Sequence, residues 1–226
     1  MHILITGSSR GIGKEIFKFL KRKKHEVYSI SRKRSKNKKI IHCDITNLND
    51  LNTKLSNIKK LDVIINNAAI TQTGLQKKEN FKKIIETNLI APYNISEILL
   101  KKIKNSNNAS IINISSINAY QAFPNNPGYV SSKAGLNSLT RALALDYGKF
   151  KVRVNSISPG YIAAGMSIKS FRNSKKKNRR SSRTILGRWG EPKDLYGLVE
   201  FLISKKSSYI TGQDFVVDGG WLAKGL

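Results

Sequence analysis

The sequence contains few of the residues that stabilise disulfide-rich, metal-bound or membrane-spanning proteins. Its single cysteine, Cys43, excludes a disulfide within the chain, and its three histidines lack the spacing of metal ligands. No apolar run approaches the roughly 20 residues of a membrane-spanning helix. We also expect no leader peptide, because residues of strand character begin at His2 with no charged and apolar segment before them. These absences predict a reduced, cytoplasmic, metal-free globular protein with no membrane partner.

Acidic residues are also scarce. Only 14 Asp and Glu stand against 41 Lys and Arg, which gives a formal net charge of +27. Such a charge can mark a nucleic-acid-binding protein, and tight binding to one sequence at physiological salt would support that alternative. The lysines are, however, spread over predicted helices and loops, and the abundance of Lys, Asn and Ile is typical of a genome-wide compositional bias. We therefore predict a solvated basic surface with no specific nucleic-acid partner and a weak attraction to acidic partners.

The length of 226 residues is suited to a single domain, residues 1–226, with a sizeable core. Short apolar runs alternate along the chain with segments of helical periodicity. Predicted strands cover residues 2–6, 27–31, 40–43, 61–65, 109–115, 151–157 and 215–217. Predicted helices cover residues 14–24, 47–58, 79–104, 127–147 and 192–203. This alternation predicts an α/β fold, a Rossmann-like doubly wound parallel sheet with its ligands at the carboxyl ends of the strands.

A glycine-rich turn joins the first predicted strand to the first predicted helix. Gly7, Gly11 and Gly13 permit close approach of the backbone, and the helix N-terminus offers free N–H groups. A pyrophosphate group requires both features, and their position at the first strand–helix junction makes the signal strong. The residues of this turn that we expect to contact a dinucleotide are Gly7, Ser9, Arg10, Gly11, Ile12 and Gly13.

The end of the second predicted strand bears on the choice of dinucleotide. An acid there would bind the ribose 2′-hydroxyl of NAD, whereas a basic residue would accommodate the 2′-phosphate of NADP. The strand ends at Ser31 and is followed by Arg32, Lys33 and Arg34, and Arg10 adds a further positive charge. These residues predict NADP(H) as the cofactor in preference to NAD(H).

A serine, a tyrosine and a lysine occupy the middle of the chain at positions 116, 129 and 133. Residues four apart on a helix share a face, so Tyr129 and Lys133 are expected to lie side by side. An ammonium beside a phenol favours the phenolate and lowers a pKa of about 10, which makes Tyr129 a candidate general acid or base. Ser116 follows the strand 109–115, where its hydroxyl can point at a bound substrate. Taken alone, Tyr-x-x-x-Lys is more often a chance surface pair.

Together with the glycine turn, this stretch resembles the short-chain dehydrogenase/reductase family, and the resemblance covers nearly all 226 residues. It implies that Ser116, Tyr129 and Lys133 form the catalytic centre and that Lys133 also binds the nicotinamide ribose. It further implies that the backbone carbonyl of Asn88 holds a water of a proton relay. Pro92 has no N–H to donate to that carbonyl, so the sequence leaves the acceptor available, although a simple helix kink would look the same.

The resemblance implies further cofactor contacts. Asp44 and Ile45 match residues near the adenine, although a surface acid at a strand end is an equally good interpretation of Asp44. The remaining residues flank the cofactor or lie beside its nicotinamide: Asn67, Ala68, Ala69, Pro159, Gly160 and Ile162. Arg10 and Arg32 stand where members of the family that use NADP carry basic residues. Ala69 replaces a family glycine, and residues 163–165 replace a threonine whose contact is missing or made by Ser167.

The same resemblance implies a substrate lid over residues 161–188, although a solvated basic face is the simpler interpretation of its charges. It predicts an NADP(H)-dependent oxidoreductase that interconverts a ketone and a secondary alcohol, on a 3-oxoacyl thioester or a sugar-derived substrate. The substrate would be a small carbonyl or alcohol, carrier-bound or acidic, and the enzyme a homodimer or homotetramer. The alternative is a catalytically weak dinucleotide-binding sensor or scaffold on the same fold.

Overall fold

The computed structural model describes residues 1–32, 34–71 and 78–224. Seven parallel strands form one sheet in the order β3-β2-β1-β4-β5-β6-β7. The strands are β1 (His2–Thr6), β2 (Glu26–Ser31), β3 (Ile40–His42), β4 (Val63–Asn66), β5 (Ser110–Ile114), β6 (Arg153–Pro159) and β7 (Asp214–Val217). The sheet confirms the predicted doubly wound α/β fold, with strand ends displaced by one or two residues.

Helices cover both faces of the sheet. They are α1 (Gly11–Arg22), α2 (Leu48–Ser56), α3 (Lys78–Ile85), α4 (Ala91–Ile103), α5 (Pro127–Gly148), α6 (Ile168–Arg172), α7 (Ser174–Ser181), α8 (Tyr196–Ile203) and α9 (Trp221–Lys224). Within the described ranges, no helix is long and apolar enough to cross a membrane.

The side chains of β1 show why two separate cores form. Successive residues of a strand point to opposite faces of the sheet. Leu4 packs into one core with helices α2, α4 and α5, whereas Ile3 and Ile5 pack into the other with α1 and α8. All three are fully buried, so the strand is apolar on both faces, as expected for the interior of a parallel sheet. This packing leaves the carboxyl ends of the strands as the edge where loops can build a site.

The predicted single helix over residues 79–104 is wrong. The chain forms α3, then a π-helical turn at Glu86–Ile90, then α4, which has Pro92 in its first turn. The N–H of Ala91 donates to the carbonyl of Glu86, five residues back. Pro92 cannot supply the next backbone donor, so an unbroken α-helix could not keep its bonding pattern here.

Two other segments differ from a regular strand–helix alternation. In the connection from β2 to β3, the described residues 32 and 34–39 form no helix, and Lys33 lies outside the described residues. The predicted lid, residues 161–188, contains α6 and α7, which the weak apolar pattern gave no reason to expect. Trp189 stabilises this segment, because its indole N–H donates to the carbonyl of Lys177 and its ring packs on Phe171.

Candidate active site

A cavity of about 530 Å³ lies at the carboxyl ends of the central strands, within the size range of small-molecule sites. All the residues that we predicted for the cofactor or for catalysis line it, except Asn88. They are Gly7, Ser9, Arg10, Gly11, Ile12, Gly13, Ser31, Arg32, Asp44, Ile45, Asn67, Ala68, Ala69, Ser116, Tyr129, Lys133, Pro159, Gly160 and Ile162. The sheet thus brings together residues that the sequence separates by more than 150 positions.

The glycine turn is shaped by conformations and spacings that larger residues would disturb. Gly7 and Gly11 have φ angles of 71° and 63°, in the left-handed region that L side chains rarely adopt. A Cβ atom on Gly13 would lie 2.2 Å from the Asn67 side-chain nitrogen and 2.6 Å from the Gly7 carbonyl oxygen. The N-cap residue of α1, Arg10, has extended backbone and makes no side-chain cap. This turn therefore fits a pyrophosphate group, which the uncapped N–H groups of α1 can bind.

Thr6 and Asn67 hold this turn against β4. The side-chain amide of Asn67 donates to the carbonyls of Thr6 and Gly7, at 2.9 and 3.1 Å. The Thr6 hydroxyl oxygen accepts from the backbone N–H groups of Asn67 and Ala68, at 3.0 and 2.9 Å. Sequence reasoning missed the role of Thr6, because nothing in a strand-ending threonine indicates which loop it will bind.

Asp44 lies near positive charges at the end of the cavity that is formed by β2 and β3. Burial alone would raise the pKa of Asp44. Hydrogen bonds from the Thr46 backbone N–H and hydroxyl outweigh that cost, with help from the charges of Arg32 and Lys83, so the pKa of Asp44 is lowered. Asp44 is therefore an anion fixed in place at this end of the cavity.

Ser116, Tyr129 and Lys133 converge on one wall of the same cavity. Helix α5 carries Tyr129 and Lys133 on one face, as predicted, with the Lys133 Nζ 5.7 Å from the Tyr129 ring centroid. Lys133 is 2% exposed, and its Nζ donates to the carbonyl of Ile114 at 2.7 Å. Ser116 follows β5 with extended backbone, and its Oγ accepts from the N–H of Asn118 at 3.1 Å.

Burial controls the protonation of this pair. It raises the pKa of Tyr129, against a smaller opposing effect of the Ser116 hydrogen bond, and it lowers the pKa of Lys133 to about 7. The prediction that Lys133 lowers the pKa of Tyr129 is therefore wrong for this structure. Lys133 is buried and Tyr129 is half-buried, so removal from water disfavours the charged form of both groups.

Asn88 lies behind the cavity wall and is fully buried. Its side-chain oxygen accepts from the N–H of Ile70 at 2.9 Å, and its amide donates to the carbonyl of Ile70 at 2.9 Å and to the Ser132 hydroxyl at 3.0 Å. The side chain thus joins the π turn to the loop after β4 and to helix α5. The predicted relay role concerns the backbone carbonyl and remains a prediction.

Thr87, Asn126 and Arg180 line the cavity and were not predicted as site residues. Ser167, which the sequence analysis named as a substitute for the missing threonine, also lines it. Arg180 comes from α7, in a segment where a run of cations resembles an ordinary solvated surface. Only the fold shows that this one cation turns inward.

The start of the predicted lid packs directly on the glycine turn. A Cβ atom on Gly11 would lie 2.9 Å from the Cα of Gly165, and one on Gly165 would lie 3.0 Å from the Cα of Gly11.

Among the described residues, no group of three or more His, Cys, Asp or Glu side chains could hold a metal ion.

Comparison with known proteins gives the class of this fold and site. The family model described as enoyl-(acyl carrier protein) reductase matches residues 7–222. The chain belongs to the short-chain dehydrogenase/reductase family and is an NAD(P)-dependent oxidoreductase acting on CH–OH groups.

Particular relatives show how far the similarity extends. The chain is 35% identical to the 3-oxoacyl-[acyl-carrier-protein] reductase FabG of Rickettsia bellii, over 97% of this chain and 95% of that protein. It is 33% identical to a tropinone reductase homolog of Datura stramonium, over 100% and 93%. The solved structure of Thermoplasma acidophilum aldohexose dehydrogenase superimposes with a TM-score of 0.91 at 29% identity, over 98% and 94%. That of 4-hydroxyisoleucine dehydrogenase complexed with NADH gives 0.91 at 31%, over 98% of both chains.

Proposed function

We propose that this oxidoreductase interconverts a ketone and a secondary alcohol with NADP(H), and that Tyr129 exchanges the proton with the substrate oxygen. One observation carries the proposal: Ser116, Tyr129 and Lys133 share a cavity with a glycine turn that fits a pyrophosphate. When bound, the dinucleotide supplies or accepts the hydride.

The residues of this chain would position the substrate and the cofactor and supply the proton. The raised pKa of Tyr129 keeps its hydroxyl protonated at neutral pH, which a proton donor to a carbonyl oxygen requires. In this proposal the Ser116 hydroxyl donates a hydrogen bond to the same oxygen and so orients and polarises the carbonyl. Lys133, whose Nζ donates to the Ile114 carbonyl, is proposed to bind the nicotinamide ribose. Asn88 is proposed to hold a relay water through its backbone carbonyl.

The preference for NADP(H) is supported by the charges at the end of β2. Ser31 occupies the place of the acid that would repel a 2′-phosphate, and Arg10 and Arg32 line the same cavity. One structural relative was solved in complex with NADH, so similarity to relatives does not by itself decide between NADP(H) and NAD(H).

The substrate classes to test first come from the relatives. The FabG relatives favour a carrier-bound 3-oxoacyl thioester, and aldohexose dehydrogenase favours a sugar-derived substrate. We propose residues 161–188 as the substrate lid and a homodimer or homotetramer as the assembly. A catalytically weak sensor or scaffold is not favoured, because Ser116, Tyr129 and Lys133 are all present in one cavity.

The replacement Tyr129→Phe tests this function, because it removes the hydroxyl and keeps the ring. Consumption of NADPH is followed with 3-oxoacyl thioesters and oxidised sugar acids, and formation of NADPH from NADP⁺ is followed with the sugar acids themselves. We expect turnover to fall by about 100-fold or more, with NADPH binding retained. Tyr120→Phe is the matched control, since Tyr120 is exposed and donates to Asp214 outside the cavity. Near-normal turnover of the Tyr129 variant would refute the proposed mechanism.

A further inference from the structure

One arginine of the predicted lid differs from the other cations around it. Helix α7 carries Lys175, Lys176, Lys177 and Arg179, all exposed, as expected for a solvated basic face. Arg180 is half-buried on the same helix and lines the cavity that contains Tyr129. The long basic run therefore contains one side chain that the fold directs inward.

Aromatic rings fix the position of this arginine. The guanidinium carbon of Arg180 lies 4.3 Å from the ring centroid of Tyr161 and 5.6 Å from that of Trp189. Tyr161 in turn packs against Trp189 and Trp221, with centroids 5.3 and 4.7 Å apart. Tyr161 directly follows the Pro159–Gly160 turn at the end of β6, and Tyr161 and Arg180 both line the cavity that contains Tyr129.

The donors of this guanidinium have no acceptor within the described part of the chain. The side chain of Arg180 forms no hydrogen bond or ion pair with the described side chains of residues 1–32, 34–71 and 80–224. Nearby Arg188, by contrast, forms a two-point pair with Asp194, at 2.8 and 3.1 Å. Asp44 is the one acid among the described residues that line the cavity, and Thr46 holds it at the other end. Arg180 thus lines the cavity with a planar guanidinium whose N–H donors meet no carboxylate of the described side chains.

We propose that Arg180 binds an anionic group of the substrate, a carboxylate or a phosphate, and so selects anionic carbonyl compounds. This inference rests on the proposed function, since it assigns the substrate class of the same cavity. Two oxygen atoms of such a group match the two-point geometry of a guanidinium, and the surrounding rings reduce the exposure of the pair to water. A carboxylate would belong to a small oxo acid, and a phosphate to a phosphorylated carrier arm such as pantetheine 4′-phosphate.

Matched compounds distinguish these two sources. In the first comparison, oxo acids of five to seven carbons are tested against their methyl esters. In the second, 3-oxobutanoyl-pantetheine is tested with and without its 4′-phosphate. Affinity is measured by calorimetric titration of the protein loaded with NADP⁺, and turnover by NADPH absorbance. We expect the wild-type protein to prefer the charged member of one pair by at least tenfold, the ratio given by about 1.4 kcal/mol.

The variant Arg180→Met should abolish that preference and leave the affinity for the neutral compound within about threefold. Arg180→Lys keeps the charge but lacks the coplanar N–H donors of the guanidinium, so it should retain only part of the preference. This variant preserves the test if the Met variant folds poorly. Arg179→Met is the matched control, because it removes the same charge from an exposed neighbour.

The outcomes separate the inference from the function on which it rests. Equal binding of charged and neutral compounds, binding of none of them, or an equal loss in the Arg179 variant would overturn the assignment to Arg180. An Arg180-dependent preference in binding, with no turnover of any compound, would support the assignment and contradict the proposed oxidoreductase mechanism.

Discussion

Tyr129 and Lys133 illustrate how burial can override a charge–charge expectation at a single site. Their spacing on α5 places the ammonium beside the phenol, and Coulomb attraction alone would favour the phenolate. Burial of Lys133 and partial burial of Tyr129 oppose this attraction, however, and the pKa of Tyr129 is raised whereas the pKa of Lys133 falls to about 7. The consequence is a phenol that stays protonated and a lysine that titrates near neutral pH.

The lowered pKa of Lys133 predicts a pH-dependent stability. Below pH 7 both the folded and the unfolded chain carry the Lys133 proton, so the full cost of burying the charge is present. As the pH rises above about 7, the folded state loses that proton while the unfolded state keeps it up to about 10.5. Stability relative to Lys133→Met should therefore rise by up to about 1.4 kcal/mol per pH unit above pH 7.

Urea unfolding of both proteins at pH 6, 7, 8 and 9 measures this difference. Lys133→Met should be the more stable protein by the largest margin at pH 6, with the margin shrinking as the pH rises. Lys101→Met is the matched control, because Lys101 is exposed on α4 and should follow the wild-type curve. A margin that stays constant from pH 6 to pH 9 would mean that Lys133 keeps its proton throughout.

At the scale of the element, the chain between α3 and α4 changes helical type at the residues that support the site. The Ala91 N–H bonds to the Glu86 carbonyl, five residues back, and Asn88 lies within this π turn. Its side chain holds both backbone groups of Ile70, so the turn fixes the loop that follows β4. Such π turns inside helices are frequent at functional sites. The register of the turn therefore determines where the Asn88 carbonyl lies.

The substitution Pro92→Ala tests whether this turn matters for catalysis. Alanine restores an N–H that can bond to the Asn88 carbonyl four residues back, and so removes the acceptor proposed for the relay water. We expect a folded protein with a protected new amide at position 92 and a kcat lowered about tenfold or more, since proton transfer contributes factors of this order. Hydrogen exchange by NMR and NADPH kinetics measure the two effects.

Pro192→Ala serves as the control for this prediction, because Pro192 also occupies a first helical turn, before α8. An undiminished kcat in a variant whose structure shows the amide of residue 92 bonded to the Asn88 carbonyl would show that this carbonyl has no part in the reaction.

At the scale of the whole molecule, excess positive charge affects every binding measurement. With 14 acids and 41 basic side chains, most lysines have no acid to pair with, and several of the pairs among the described residues, such as Lys23–Glu200 at 2.9 Å, are exposed. Exposed pairs of this kind contribute at most about 1 kcal/mol and are screened by salt. The surface therefore attracts anions in general, and the affinity for a phosphorylated cofactor contains a part that belongs to no particular site.

The cofactor preference must be measured against that background. If Arg10 and Arg32 contact the 2′-phosphate, NADPH should bind at least tenfold more tightly than NADH, a difference of about 1.4 kcal/mol. Calorimetric titration at low and high salt separates this contribution from general attraction, which salt weakens for both cofactors. The double variant Ser31→Asp, Arg32→Ala should reverse the preference, because a carboxylate there repels the phosphate and binds the ribose hydroxyl.

Arg22→Ala controls for the loss of one positive charge, since Arg22 is exposed at the end of α1, away from the cavity. Equal affinities for NADPH and NADH at high salt would disprove a specific 2′-phosphate site.

Local patterns, and the resemblance that they carry, were sufficient to predict the class of the fold and to name many of the residues that line the cavity. The alternation of apolar strands with helices implies a parallel sheet, because crossover helices must cover both its faces. The glycine turn and the Tyr129–Lys133 spacing depend on neighbours within seven positions, so they are readable before folding. Helix α5 begins at the predicted Pro127 and ends one residue beyond the predicted end. These features express backbone geometry and helical periodicity, which are local properties.

Tertiary structure alone decided which side chains are buried and what they bond to. Thr6 holds the glycine turn and Asn88 holds the loop after β4, and both bonds join residues far apart in sequence. The pKa directions of Tyr129 and Lys133 depend on how completely the fold removes them from water. Arg180 is indistinguishable from its neighbours in a basic run until the packing of Tyr161 and Trp189 turns it into the cavity. Burial and long-range contacts arise only when distant segments meet, so no local pattern encodes them.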